Sequence, residues 1–451
     1  MKRFLLLLAG IVSACASLST AQWVTQHSGL PTGTPTIPVR FAAVNDSVCW
    51  GVNTSDNTPG NQFMITTDGG AIWTTWTVLT APSSWRGSYV AALDADTAWI
   101  LMHDPSFLTS GGVFKTTDGG NTWGQQTTAF PGSGGNAKII HFFDANTGIC
   151  IGNPNPPGDW EIYRTTNGGT LWTRMHLPAQ TDEVTFFLHS SSGNSFWFSS
   201  GIGGPFDWRL YRTTDQGFTW STFNHGGSTS FPAFKDSLNG ITARSIPPPN
   251  ELMRTSDGGV TWQSIPISLP FSTRFIRYVP GTSSWFVMTS YACCGLSGTP
   301  GSAYTRDDGV NWILIDSTIH RAPAAFASAT AGWCGGEFDS VYKWIGFPSS
   351  VHRTDEIVRG FRLEQNYPNP FNPATRIKFT LSSQERDGVR SLVTLKVFDV
   401  LGREVRTLVN ENLQTGSYET TFDARGLASG VYFYRLQTGA FVQTRKLLLL
   451  K

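Results

Sequence analysis

Short apolar runs alternate with polar, glycine-rich turns along most of the chain. An apolar run, a polar turn and a second apolar run occupy 41–44 and 48–51, and again 139–143 and 148–152. Further first runs begin near Tyr89, Val184, Phe231, Phe275 and Ala324. Runs this short, bounded by turn residues and rich in β-branched and aromatic side chains, predict strands rather than helices. A third short aromatic run follows in most units, as in Phe114-Lys115, Ile162-Tyr163-Arg164, Leu210-Tyr211-Arg212 and Ala303-Tyr304.

Each third run leads into one recurring octapeptide. It reads TTDGGAIW at 66–73, TTDGGNTW at 116–123, TTNGGTLW at 165–172, TTDQGFTW at 213–220, TSDGGVTW at 255–262 and TRDDGVNW at 305–312. Its third residue is Asp68, Asp118, Asn167, Asp215, Asp257 or Asp307, and its last is Trp73, Trp123, Trp172, Trp220, Trp262 or Trp312. The chemistry is that of a hairpin turn. Asp or Asn accepts backbone N–H groups, glycine supplies positive φ, and Trp is large enough to seal the hairpin against a neighbour. Seven first runs stand against six boxes, and Gln22-Trp23-Val24-Thr25 resembles the residues that close a box, such as Thr261-Trp262-Gln263-Ser264. Four strands per unit, with the last unit completed by the chain's own start, predict an all-β, seven-bladed β-propeller closed by the N-terminal strand. Closure leaves only short sheet edges.

Composition narrows the function. Of 451 residues, 33 are Lys or Arg and 32 are Asp or Glu, a net charge of +1 that argues against a nucleic-acid binder. Hydrophobic residues at 40% are enough to bury cores, and charged residues at 14% argue against a disordered chain. Residues 1–21 read as a signal peptide: Met1-Lys2-Arg3, an apolar run over 4–12, then small residues to Ala21. The alternative is a lipoprotein box at Val12-Ser13-Ala14-Cys15 with Cys15 acylated. No stretch is long enough to predict a transmembrane helix.

The octapeptide matches the Asp-box repeat of sialidases, sortilin-type receptors and photosystem II assembly factor-like propellers. Seven units of this length over 22–347 resemble the last group most. The resemblance implies that the boxes lie on outer hairpins away from the central pore, with a structural role for the Asp and Trp residues named above. Calcium or ligand binding by the boxes is the alternative.

Past Phe347 the chain turns polar, and 348–362 reads as a linker. A second domain is expected over 363–451. It opens with Asn366-Tyr367-Pro368-Asn369-Pro370-Phe371-Asn372-Pro373, which forbids helix. Strands are expected over 375–381, 393–399, 404–409, 416–423, 430–437 and 441–450, punctuated by Gly402, Gly416, Gly426, Gly430 and Gly439. That pattern predicts a small Ig-like β-sandwich. The NYPNPFNP block, residues 397–405 around Gly402, Gly430-Val431-Tyr432-Phe433-Tyr434 and the closing Lys446 to Lys451 closely resemble the type A C-terminal sorting domain of type IX secretion. The resemblance implies the type IX machinery as a partner. It also implies passage through the periplasm and across the outer membrane of a Gram-negative cell, removal of the domain, and release or surface attachment of the rest. An adhesion module is the other reading.

Catalytic chemistry is sparse. Cys49, Cys150 and Cys334 share one strand context and are expected as buried thiols, with a Cys49–Cys334 bridge as a demanding alternative. Adjacent Cys293 and Cys294 are candidates for a vicinal disulfide in an exported protein. No Cys/His cluster predicts a metal site, and no cofactor motif is found. Sialidases hold a carboxylate with three arginines, and Arg40, Arg274 and Arg321 fall at the start of the first run in units one, six and seven. The Arg-Ile-Pro motif is absent, since 39–42 read Val-Arg-Phe-Ala, and no Tyr–Glu pair can be assigned. The expected role is a non-catalytic module binding a protein or glycan at the propeller face. The alternatives are a sialidase-like glycoside hydrolase and an assembly factor acting on partner proteins.

Overall fold

The structure, a computed structural model, describes residues 23–29, 39–54, 60–105, 111–131, 136–180, 183–202, 208–224, 232–244, 251–266, 269–271, 275–282, 286–290, 299–321, 324–336, 340–346, 351–354, 360–382, 391–413, 415–424 and 427–450. The chain divides into two compact units, Met1–Phe347 and Pro348–Lys451. The signal segment 1–21, the run near Phe231, Gly426, and the Arg274 and Cys293-Cys294 candidates lie outside the described residues.

The first unit is a seven-bladed β-propeller of four-stranded antiparallel sheets. Blade one shows the plan: Val39–Ala43 innermost, then Cys49–Asn53, Gln62–Thr66 and Thr74–Thr77 at the outer edge. The second strands of blades one to three are buried along their whole length, because each face of a blade packs on a neighbouring blade. The apolar core is therefore distributed as one cluster between each adjacent pair. Trp50 and Phe63 of blade one meet Ile100, Phe114 and Trp123 of blade two, and Phe41, Met64 and Trp73 of blade one meet Trp333 and Val341 of blade seven.

Ring closure uses the start of the chain. Trp23–His27 pairs antiparallel with Ser340–Trp344, from Trp23 opposite Trp344 to His27 opposite Ser340, and so becomes the outer strand of blade seven. Trp23 is buried, 4.9 Å edge-on from the Trp344 ring.

The boxes join third to fourth strands and also lock blade to blade. In the second box, Asp118 Oδ1 accepts the Thr116 hydroxyl at 2.8 Å and the Thr122 N–H at 2.9 Å, while Oδ2 accepts the Thr122 hydroxyl at 2.6 Å. The Gly120 N–H donates to Thr116 Oγ1 at 2.9 Å. Gly120 has φ +89°, and a Cβ there would stand 2.5 Å from Phe63 of the preceding blade. A cation near the end of one blade's third strand then donates to a box carbonyl of the next. Lys115 Nζ reaches Gly168 O at 3.0 Å, Arg164 Nε reaches Gln216 O at 2.9 Å, and Lys343 Nζ reaches Gly69 O at 2.8 Å across the closure.

The second unit is a β-sandwich of two four-stranded sheets. One runs Val351–Thr354, Gly416–Asp423, Ala374–Leu381, Arg362–Leu363, and the other Glu404–Leu413, Ser391–Phe398, Gly430–Thr438, Phe441–Leu449. Alternating inward residues, among them Ile377, Phe379, Val393, Leu395, Tyr434 and Leu447, fill the core. The segment expected to be a linker is in part a strand. Val351–Thr354 pairs with Thr420 to Ser417, and Arg362–Leu363 pairs with Thr380 and Phe379. The partners of 351–354 lie 63 to 69 residues on, and those of Arg362–Leu363 lie beyond the proline-rich block, so local composition could not reveal them.

Candidate functional site: the central channel

The innermost strands of all seven blades converge on one cavity of about 310 Å³. Small residues such as Ala42, Ala91, Ala233 and Ala325 let the strands approach the axis, and Phe41, Phe142, Phe234 and Phe326 add apolar wall. Polar side chains break that wall: Arg40, Tyr89, His141, His189, Arg277 and Tyr278, with the small hydroxyls of Ser190 and Ser191 beside His189. No carboxylate lines the cavity among the described residues.

The imidazoles form a pair on blades three and four. Their ring centroids are 5.7 Å apart, and Tyr89 lies 5.0 Å from His189. Phe196 stacks behind His189 at 4.9 Å and lies 5.4 Å from His141. Burial pulls the His141 pKa down to about 4. Burial, then the charges of His141, Arg277 and Arg40, hold His189 well below the usual histidine range, so both rings are neutral at pH 7. Among the described residues, His189 Nδ1 has no hydrogen-bond partner. Arg277 donates to Ile276 O at 3.1 Å. Burial lowers its pKa, opposed by a hydrogen bond with Tyr89.

The structure places the two described arginine candidates, Arg40 and Arg321, apart. Arg40 lines the channel. Arg321 does not: it is buried, donates to Asp316 Oδ2 at 2.7 Å and Ser302 Oγ at 3.3 Å, and lies over the Tyr342 ring at 4.7 Å. Arg277, which sequence reasoning missed, takes the channel position instead. The available signal was a polar residue interrupting an apolar inner strand, as also with His141 in Ile139-Ile140-His141-Phe142.

Tyrosine–carboxylate pairs do occur, but inside the blades. Tyr211 Oη donates to both Glu183 oxygens at 2.9 Å, and Tyr163 Oη donates to Glu161 Oε1 at 3.0 Å. All four side chains are buried and none lines the cavity. Burial first, with Glu183 adding, pushes Tyr211 up to about 12, away from what a phenolate nucleophile requires. Cys49, Cys150 and Cys334 are free buried thiols rather than a bridge, and burial pushes Cys334 up to about 12. No group of three or more potential metal-ligating side chains occurs among the described residues.

In the sandwich, the proline-rich block is pinned by Asn366, which is 2% exposed. Its Nδ2 donates to Pro368 O at 3.1 Å and Thr375 Oγ1 at 3.0 Å, and its backbone N–H donates to Tyr434 Oη at 2.8 Å. Phe371 is buried and exchanges backbone hydrogen bonds of 3.0 Å with Leu448 and Leu450 of the last strand. Asn369 Oδ1 accepts the Leu448 N–H at 2.9 Å. Gly402, at φ +78°, closes the 399–403 turn, and Tyr432 Oη donates to Ala428 O at 2.9 Å. Asn366→Ala removes both Nδ2 bonds, while the Thr375 hydroxyl still donates to Pro368 O at 2.7 Å and the backbone N–H still reaches Tyr434. It is expected to cost about 1 kcal/mol, read as a lower melting temperature of the sandwich transition in calorimetry.

Residues 365–450 match the model of the secretion system C-terminal sorting domain. The chain therefore carries the signal for type IX secretion to the surface or the outside of a Gram-negative cell. Among solved structures the chain is similar to YCF48 bound to a D1 peptide, at 18% identity over 73% of this chain and 99% of that one, with a TM-score of 0.55. It is also similar to an ancestral GH74 enzyme, at 14% identity over 95% of this chain and 63% of that one, with a TM-score of 0.47. A sialidase from Streptococcus pneumoniae is similar at 10% identity over 89% of this chain and 70% of that one, with a TM-score of 0.34. At 18% identity the likeness to YCF48 is one of fold. No curated protein matches the chain.

Proposed function

We propose that the chain is an exported binding module: a propeller that captures a protein or glycan partner at its central channel and is delivered by its sorting domain. The observation that carries this reading is the channel itself, where the side chains from different blades converge as fixed donors and aromatic walls. The Tyr–Glu pairs that hydrolysis of a sialoside would use sit apart from it, inside blades three and four. The propeller solved as YCF48 with a D1 peptide supports a polypeptide partner over a sugar. The leading residues 1–21 act as the signal for the first export step in this reading, and the module is displayed or released outside the cell.

The test applies the full chain to peptide and glycan arrays and, separately, to a fluorogenic sialoside. Saturable array binding without turnover is expected. Turnover of the sialoside that Arg40→Gln abolishes would establish the hydrolase instead.

A further inference from the structure

We propose that the channel is a receptor site for a small organic carboxylate, and that binding draws a proton onto the His141–His189 pair. This rests on the binding-module reading in placing the ligand in the channel, and it adds the ligand's chemistry.

The charge arrangement is the first argument. Arg40 and Arg277 enter one cavity of about 310 Å³ that no carboxylate lines among the described residues. That size suits a ligand head group rather than a folded surface. A guanidinium fork matches a planar carboxylate in bidentate fashion. Each inner strand is the edge of its sheet and has one ladder partner, so its axis-facing N–H groups alternate along the strand. Alternation places them singly, not as the successive N–H groups of a nest that cradles phosphate. Recognition therefore falls to the guanidinium forks, and a planar carboxylate meets a fork with both its oxygens in one plane.

The second argument is the imidazole pair. The groups facing it are Arg40 from blade one, Tyr89 from blade two, and Arg277 and Tyr278 from blade six. Among the described residues, blades five and seven contribute only apolar ones to the wall, Ala233, Phe234, Ala324, Ala325 and Phe326. The Tyr278 hydroxyl is already engaged by Thr282 O. Burial keeps both rings neutral in the free site, and at His189 the charges of His141, Arg277 and Arg40 add to it. An anion seated between the arginines cancels that repulsion and supplies an acceptor, so the pair binds a proton more tightly when the site is filled. By linkage, affinity rises as pH falls from the filled-site value toward about 4, the free His141 value. For one proton taken up, the limiting slope is about tenfold per pH unit.

The experiment is calorimetric titration of the full chain with D-glucuronate, glucose, N-acetylglycine, N-acetylglycine amide and inorganic phosphate at pH 5, 6 and 7. One or both carboxylates are expected to bind about tenfold or more above their neutral counterparts. The two pairs of probes separate a sugar acid from a peptide terminus. Buffers of different ionisation heat should reveal proton uptake. Arg277→Gln, or Arg40→Gln should the first not fold, is expected to weaken binding about tenfold or more at every pH. His141→Phe and His189→Phe are expected to keep binding at pH 7 and flatten the pH slope. Equal binding of glucose or the amide, preference for phosphate, or a flat pH profile in the unaltered protein would overturn the proposal. An array ligand that binds Arg277→Gln and Arg40→Gln undiminished would overturn it too, while leaving the binding-module reading standing. Carboxylates held in the channel with no macromolecule bound on any array would overturn the broader reading alone.

Discussion

Replacing Trp23 by alanine should cost about 3–5 kcal/mol, the range for deleting a buried aromatic side chain, and should loosen the whole ring rather than fray one end. Trp23 is 5% exposed. It contacts Trp344 at 4.9 Å and Phe326 at 6.2 Å within blade seven, and the Arg321 guanidinium lies 5.6 Å over its ring. Three residues on, Gln26 donates through Nε2 to Gly69 O at 3.0 Å and accepts the Trp73 indole N–H at 3.2 Å. Gln126 stands three residues after Trp123 and does the same to the third box. Its Nε2 reaches Gly168 O at 3.5 Å, and its Oε1 accepts the Trp172 indole N–H at 2.9 Å. The closing strand thus reproduces both the packing and the hydrogen bonding of a genuine fourth strand. Gln26→Ala, which keeps the strand, should cost less, about 1 kcal/mol. Deleting residues 23–28 should uncover the edge of Ser340–Trp344 and lower the denaturation midpoint further than either substitution. Equilibrium denaturation of the three variants orders them, and a deletion with an unchanged midpoint would show the ring closing without this strand.

Much of this architecture was legible because it repeats. Asp, Gly and Trp in the boxes answer local demands of one turn, so the period, the blade count and the role of Trp23 could be read residue by residue. The channel could not. Arg277 reaches the axis, and only strand register and blade position decide that it does. Arg321 begins blade seven as Arg40 begins blade one, yet Asp316, five residues earlier on the outer strand of blade six, captures it. Polar residues 351–354 looked like linker because their partners, 417–420, are remote in sequence. Non-local pairing and non-local charge decided each of these cases.

Trp123→Ala should likewise cost about 3–5 kcal/mol, and Asp118→Ala in the same box should cost less. The indole meets Phe63 at 5.1 Å and Trp50 at 6.2 Å, both on blade one. Its N–H has no hydrogen-bond partner among the described residues, so what it contributes is burial and contact across the blade interface. Asp118 holds its turn through three accepted hydrogen bonds at the solvent edge, where water can replace them when they are lost. Asp118→Asn should fall between wild type and Asp118→Ala. Asn167 already fills the equivalent place, accepting the Thr165 hydroxyl and the Leu171 N–H at 2.9 Å each. The third box carries Leu171 where the second carries Thr122, so only the second asks for the extra acceptor on Oδ2. Acid should expose the same bonds. The Thr122 hydroxyl and N–H, then the Thr116 hydroxyl, hold the Asp118 carboxyl below its ordinary value. In the fifth box, burial would raise Asp257, but the Thr261 hydroxyl and N–H and the Thr255 hydroxyl outweigh it and hold it at about 2. A carboxyl with a depressed folded value stabilises the fold above its ordinary value near 3.8, and that stability is lost as pH falls toward about 2. The propeller should therefore lose stability between about pH 4 and pH 2, and Asp118→Asn should shed its own share of that dependence. None of the three substitutions should change ligand binding in the channel, because the box joins the two outer strands while the inner strand forms the cavity wall. Denaturant titrations at neutral and acid pH, run beside the channel binding assay, separate the roles. If Asp118→Ala kept its midpoint but abolished binding, the boxes would be the ligand site and the turn chemistry incidental.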